Sequence, residues 1–212
     1  MPNINLHLGD SLEAMRKMPD NKYTLAIVDP PYGINRSSQT LTICKNPKHN
    51  RKFFEDKGWD KTIPTKEYFD QLMRVSQNQI IWGANYFVKH LTGSMGWIVW
   101  DKAQYGLSMS DCELAFSSFQ RATRVWKKNR FILQQEGGTI HPTQKPIALY
   151  EWLLDNYAKP GDTILDTHLG SGSIAIACHN CNYDLDAWEI DPEYYANAVA
   201  RFKQHTAQLR LF

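Results

Sequence analysis

Apolar and polar positions follow two rhythms that alternate along the chain. Residues 4–8 place Ile4, Leu6 and Leu8 against Asn5 and His7, a period of two that predicts a strand. Gly9 and Asp10 end it, and Asp10 with Glu13 three residues later resembles a capping box opening a helix over 11–17. Pro19, Asp20 and Asn21 break that helix, and the apolar run 24–28 reads as a buried strand. Strand, helix, strand at this spacing is a βαβ unit. Further strands are predicted at 79–82, 96–100, 113–117, 123–126, 163–165 and 185–188, with 113–117 and 123–126 as a final pair. Helices are predicted at 66–77, 147–157, 173–178 and 193–208, and a short helical turn at 83–87. Asp191 and Pro192 supply the N-cap and first position of the last helix. There is no internal repeat and no low-complexity segment. The pattern is that of an α/β protein.

The rhythm fails between residues 33 and 62, where Arg36, Lys45, Lys48, Arg51, Lys52, Lys57 and Lys61 recur. A structureless stretch of this length in a compact domain is usually functional or disordered. The expectation is a mobile basic loop over about 33–62 that closes over a substrate. A solvated insertion, diluted by Glu55, Asp56 and Asp60, is the other reading. Lys127, Lys128 and Arg130 form a second basic patch between Trp126 and Phe131. Cations interleaved with aromatics suit a nucleic-acid backbone, as they also suit a solvated strand end.

Composition narrows the class without naming a chemistry. The chain has 212 residues, enough for one sizeable core, and a single domain over 1–212 is expected. A net charge of +2 does not itself argue for nucleic acid, so that case rests on the local patches. No apolar run reaches membrane-spanning length, and the first residues lack a signal-peptide core. Four cysteines form no framework for this length, which points to a reducing, cytoplasmic setting. Cys178 and Cys181 have the spacing of half a zinc site but no matching second pair, so no metal is expected.

Two constellations carry the candidate chemistry. The first is Asp29-Pro30-Pro31-Tyr32, directly after the buried run 24–28. The prolines must stop the strand, leaving an acid and a ring at fixed places on its carboxyl end, the edge where open α/β sheets bind ligands. Such a corner suits a planar aromatic amine: Asp29 and the Pro30 carbonyl accept its N–H groups and Tyr32 stacks on the ring. A strand-ending turn with a solvated acid is the plain alternative. The second is Gly170-Ser171-Gly172 between strand and helix, with Glu189 ending the next strand. The glycines allow close backbone approach, and a carboxylate about 20 residues on suits a ribose diol. Ala175 stands where the dinucleotide fingerprint has its third glycine, which disfavours a nicotinamide dehydrogenase.

Asp29-Pro30-Pro31-Tyr32, then the segment from His141 to Pro146 (HPTQKP), then Asp166 with Gly170-Ser171-Gly172 and Glu189, in that order, resembles the beta group of DNA amino-methyltransferases. The Trp82–Phe87 and Trp100–Lys102 segments resemble its phage and bacterial members. The resemblance covers most of the chain. It implies a Rossmann-like seven-stranded sheet, mostly parallel with one antiparallel strand, with helices on both faces. It implies S-adenosylmethionine as cofactor, DNA as partner, a flipped target base and a homodimer. By the same resemblance Asp29, Pro30, Pro31 and Tyr32 are catalytic. The cofactor site would draw on Asp10, Ser11, Asp29, Thr143, Lys145, Asp166, His168, Gly170, Ser171, Gly172 and Glu189. Within it, the glycine turn passes the methionine part, Glu189 holds the ribose hydroxyls and Asp10 the adenine end. Thr143 and Lys145 meet the methionine carboxylate. A helix cap is the competing reading of Asp10, and a solvated lysine that of Lys145. Arg36, Lys48, Arg51, Lys52, Lys127, Lys128 and Arg130 are the candidate DNA contacts.

The chain departs from the family at Thr167 and His168, where proline and phenylalanine are usual. Weaker or pH-dependent cofactor binding is one expected consequence. The span from Tyr32 to His141 holds little beyond core strands, so recognition is assigned to a small region within about 118–140 and a short or relaxed target is expected. The reaction expected is methylation of adenine N6, since a leading Asp goes more often with adenine in this family. Cytosine N4 is the nearest alternative. Ribosomal RNA guanine methylation, which the motif order disfavours, and a binding module without catalysis, motivated by Thr167 and His168, complete the alternatives.

Overall fold

The structure is a computed structural model and describes residues 1–38, 53–106 and 110–207. Eight strands form one sheet: β1 (Ile4–Leu8), β2 (Tyr23–Val28), β3 (Ser76–Trp82), β4 (Ile98–Asp101), β5 (Cys112–Ser117), β6 (Arg124–Lys127), β7 (Thr163–Asp166) and β8 (Asp184–Glu189). Their order is β1-β8-β7-β2-β3-β5-β4-β6. β5 runs antiparallel to β3 and β4, and every other pairing is parallel. The single antiparallel strand agrees with expectation, but the sheet has eight strands where seven were expected. Seven is the number the resemblance implies; the apolar pattern predicts all eight, including the strand at 123–126 that becomes β6 and forms the edge parallel to β4. The expected pairing of the last two strands is likewise corrected: β4 lies between β5 and β6.

Helices α1 (Ser11–Arg16), α2 (Lys66–Val75), α3 (Ile132–Gln135), α4 (Ile147–Tyr157), α5 (Ser173–Cys181) and α6 (Pro192–Ala207) complete the described elements with two short 3-10 turns. Alternate residues of β2 serve opposite faces of the sheet, as its period of two requires. Leu25 and Ile27 join Ile80, Trp82, Leu149, Leu153 and Ile174 in one core. Ala26 and Val28 join Met15, Phe69, Leu72 and Ile81 in the other. Because both faces are covered, the parallel strands read as continuous apolar runs.

The predicted helix over 66–77 ends earlier, at Val75. Ser76 already pairs with Tyr23, so β3 takes the residues between. Arg74 closes this region by donating to the carbonyls of Met15 (2.6 Å), in the last turn of α1, and Met18 (2.7 Å), just past it.

The sheet order places the site. From β2 the chain passes on to β3 on one side, whereas from β7 it passes to β8 on the other. β2 and β7 are neighbours, with Leu25 opposite Ile164, so their carboxyl ends flank a crevice at the point where the order reverses. Ligands bind open α/β sheets at such points. Asp29 follows β2 there, and Asp166 ends β7.

Candidate active site

Two cavities open at this edge and share a wall. The first, about 750 Å³, is lined by Asp29, Tyr32, Asn85, Tyr86, Lys102 and Glu113, with Arg36 and Arg130 among its other residues. The second, about 680 Å³, runs past Asp10, Ser11, Lys145, His168, Gly170 and Glu189. Asp29, Trp59, Thr143 and Gln144 line both.

The corner after β2 is held from several sides. Tyr32 donates its hydroxyl to Asp29 Oδ1 at 2.6 Å, and Lys145 donates to Asp29 Oδ2 and to the Tyr32 hydroxyl oxygen (3.1 Å). One face of the Tyr32 ring stacks on Tyr86 at 5.2 Å between centroids. Gly83 passes so close that a Cβ there would lie 2.0 Å from Tyr32 Cε1. Buried Asp60 accepts from the backbone N–H groups of Tyr32 (2.7 Å), Gly33 (2.9 Å) and Arg36 (2.7 Å), fixing the turn that the two prolines begin. Pro30 is buried and Pro31 faces the second cavity.

A row of alternating charge crosses the wall. Lys102 meets Glu113 at 2.8 Å, Glu113 meets Lys145 at 3.2 Å, and Lys145 meets Asp29. Burial pushes Asp29 above the ordinary carboxylate range, Lys145 pulls it back, and the negative Glu113 pushes it up again. Burial would also raise Glu113, but Lys145 and Lys102 overcome this and bring it down to about 2. Buried ion pairs are often no more stable than apolar replacements, so a row of four argues for chemistry more than for stability. Glu113 and Lys102 escaped the sequence analysis as site residues. The available signal was topological: the first residues of an antiparallel strand lie at the same edge as the last residues of its neighbours.

The second cavity collects most of the expected cofactor residues. Asp10 caps α1, accepting from Leu12 N at 2.7 Å, and also lines the cavity. Glu189 Oε2 accepts from Gly170 N at 2.8 Å and Oε1 from Asp191 N at 2.9 Å, which ties the glycine turn to the end of β8. Gly172 and Asp166 sit behind the wall. Gly172 has φ 73° as the N-cap of α5, and a Cβ there would meet Ala198 at 3.2 Å. Asp166 is buried, accepts from His168 N at 3.0 Å, and is raised to about 8 by burial. Ser171 lines the cavity, and its carbonyl accepts from Arg201 at 3.0 Å. Thr143 bonds to His141 Nδ1 at 3.1 Å, and His141 stacks on Trp59.

Thr167 and His168 form a bonded unit with Tyr68. The Thr167 hydroxyl lies 2.6 Å from the Tyr68 hydroxyl and 2.9 Å from His168 Nδ1, and Tyr68 meets the His168 ring edge-on. Burial lowers His168 to about 4, so the ring is neutral at physiological pH. Burial thus argues against His168 as a source of pH-dependent cofactor binding near physiological pH.

Of the expected DNA contacts, Arg36 and Arg130 converge on the first cavity from segments almost a hundred residues apart. Lys127 and Lys128 are exposed beside them in sequence, and Lys127 reaches Asp101 at 3.6 Å. Lys48, Arg51 and Lys52 lie outside the described residues. Lys57 turns the other way: it binds Asp191 (2.8 Å) and Glu193 (2.8 Å), pinning residues 53–62 across the second cavity. No group of three or more His, Cys, Asp or Glu among the described residues is placed to hold a metal.

A parallel sheet with one reversed strand, a polar cleft at its switch point and glycine-bounded access to that cleft define the methyltransferase fold class. The DNA methylase family of N6 and N4 amino-methyltransferases matches residues 99–200, a span that holds the glycine turn and Glu189 but not Asp29. The type II methyltransferase M.HpaI of Haemophilus parainfluenzae is 23% identical over 91% of this chain and 72% of its own. The M1.HpyAVI–SAM complex superposes with a TM-score of 0.61 over 93% of this chain and 99% of its own, at 18% identity. The cytosine-N4-specific PvuII DNA methyltransferase gives 0.62 over 97% and 91%, at 12% identity. Over most of its length the chain is thus similar to DNA methyltransferases of the N6/N4 amino type, and residues 99–200 carry that family's match.

Proposed function

We propose that the protein methylates N6 of adenine in DNA from S-adenosylmethionine, on a base extruded into the first cavity. The observation that carries the reading is Asp29 standing in the wall common to both cavities. S-adenosylmethionine supplies, when bound, a methyl group on a sulfonium. Glu189, Gly170, Ser171 and Asp10 line the cavity that would hold it, and its volume of about 680 Å³ is of the size that takes a nucleoside ligand.

The chain's own part is alignment and charge. Asp29 accepts an N–H of the amine, favouring a pyramidal nitrogen with an available lone pair, and holds the departing proton as nitrogen exchanges one hydrogen for methyl. The Pro30 carbonyl is the second acceptor in this reading. With one ring face on Tyr86, Tyr32 offers the base its other face. Arg36 and Arg130 meet phosphates at the cavity rim, and exposed Lys127 and Lys128 extend that contact. Residues 118–140 form the recognition region, and a homodimer in a cytoplasmic setting completes the proposal. Cys112, Cys178 and Cys181 are free thiols, as that setting favours.

The leading Asp of the tetrapeptide supports adenine. Cytosine N4 is the second reading, since the N4-specific relative has the same fold. Mass spectrometry of nucleosides from DNA treated with the protein decides between them. N6-methyladenine is expected, and N4-methylcytosine alone would replace the assignment.

A further inference from the structure

Strand β5 contributes a side chain that no motif announces. We propose that Glu113 is a positioning residue for methyl transfer, holding Lys145 between two carboxylates so that Asp29 stays a strong acceptor for the substrate amine. This rests on the reading of Asp29 given above and adds to it the group that sets that acid's strength.

A lysine ammonium has three N–H groups. That of Lys145 donates to Asp29 Oδ2 and to the Tyr32 hydroxyl at 3.1 Å, and its charge lies in ion-pair contact with Glu113 Oε2 at 3.2 Å. The Lys145 side chain is 2% exposed, so its ammonium depends on these protein partners rather than on water. Remove the Glu113 charge and the ammonium has one carboxylate left. It then settles on Asp29 and neutralises the oxygen that the amine needs.

Charge counting gives the same result. Lys102, Glu113, Lys145 and Asp29 alternate in sign and sum to zero. Methylation builds positive charge on nitrogen in the first cavity, where both Asp29 and Glu113 form part of the lining. With Glu113 neutral, the row carries one excess positive charge beside that nitrogen. Lys102 works in the opposite sense by drawing Glu113 away from Lys145.

Other groups face Asp29 from the surrounding elements: Tyr32 on its own loop, Tyr68 on α2, Tyr150 on α4 and Asp166 on β7. Burial holds the three tyrosines neutral throughout the working pH range. Asp166 titrates near pH 8, well above the acid limb of interest.

The test is the pH profile of methyl transfer for wild type, E113Q, E113D and K102M, with cofactor binding by calorimetry and thermal melts for each. Activity falls on the acid side as Asp29 takes a proton. E113Q removes a negative neighbour and gives Lys145 wholly to Asp29, so its acid limb moves to lower pH by about one unit, with lower plateau turnover. K102M leaves Glu113 less compensated, so its limb moves to higher pH. E113D keeps the charge and stays near wild type. Opposite shifts with cofactor affinity retained support the proposal, because lost packing alone would move neither limb. Limbs that stay in place, or move together, overturn it, and K102M alone decides the matter where E113Q does not fold. D29N separates the two readings. A fully active D29N sinks the role of Asp29 itself, whereas inactive D29N with unshifted limbs sinks only that of Glu113.

Discussion

At the scale of single residues, Asp29 is the acid of the corner, bonded by Tyr32 and Lys145, and its replacement is the most direct probe. Asp29→Ala is expected to abolish methyl transfer while S-adenosylmethionine binding persists, because Glu189, Gly170 and Asp10 are untouched. Single-turnover assays beside calorimetry read the two separately. Gly83 supports the corner from behind. Its φ of 69° is strained for any L side chain, and a Cβ would occupy the place of the Tyr32 ring. Gly83→Ala should therefore cost about 1–3 kcal/mol in backbone strain alone and displace Tyr32. Urea denaturation measures the first effect, and loss of turnover with cofactor affinity kept measures the second. Wild-type turnover in this variant would show that Tyr32 need not hold its observed place.

At the scale of elements, residues 53–62 act as a strap with two anchors. Asp60 fixes the turn after Tyr32, and Lys57 fixes the start of α6. Asp60→Ala strands three backbone N–H groups, each costing about 1–3 kcal/mol where water does not reach it. Its expected result is a lower unfolding midpoint together with reduced turnover. Lys57→Met should instead raise KM for the cofactor with turnover nearly kept, since it loosens only the cover of the second cavity. A fall in turnover as large as that of Asp60→Ala would contradict this division.

The same scale shows what was legible in the sequence and why. Apolar runs located β2, β7 and β8 because both faces of a parallel sheet are buried, and α4 appears with the bounds its pattern predicts, 147–157. Glycines and prolines marked the two corners. The strap's role was hidden, because Asp60 and Lys57 act on partners 24 to 136 residues distant, and a charged residue in an aperiodic stretch looks the same whether solvated or buried. Glu113 was hidden for a related reason. Its meaning depends on β5 being reversed, and strand direction leaves no trace in a period of two.

Taken whole, the molecule buries several ionisable groups at one sheet edge, and its stability should depend on pH accordingly. Asp166 is raised to about 8, whereas in the unfolded chain it ionises near the ordinary carboxylate value. Between those values the unfolded state releases a proton that the folded state keeps. Raising pH through that window therefore costs stability, at up to about 1.4 kcal/mol per unit for one proton. Denaturation at pH 5 and pH 8 should show a smaller decline in Asp166→Asn than in wild type. An equal decline would place the titration elsewhere. The recognition region proposed above, residues 118–140, is small, and methylation-aware sequencing of DNA from an expressing host should return a short or relaxed site. A stringent site of six or more base pairs would contradict that expectation.

The shared wall has a practical consequence for ligand design. On the function proposed above, two cavities that share Asp29, Trp59, Thr143 and Gln144 can be spanned by one small molecule, a nucleoside at one end and an aminated base at the other. Such a bridge makes binding of its second half intramolecular, so that two weak fragments combine into a tight inhibitor without any new contact.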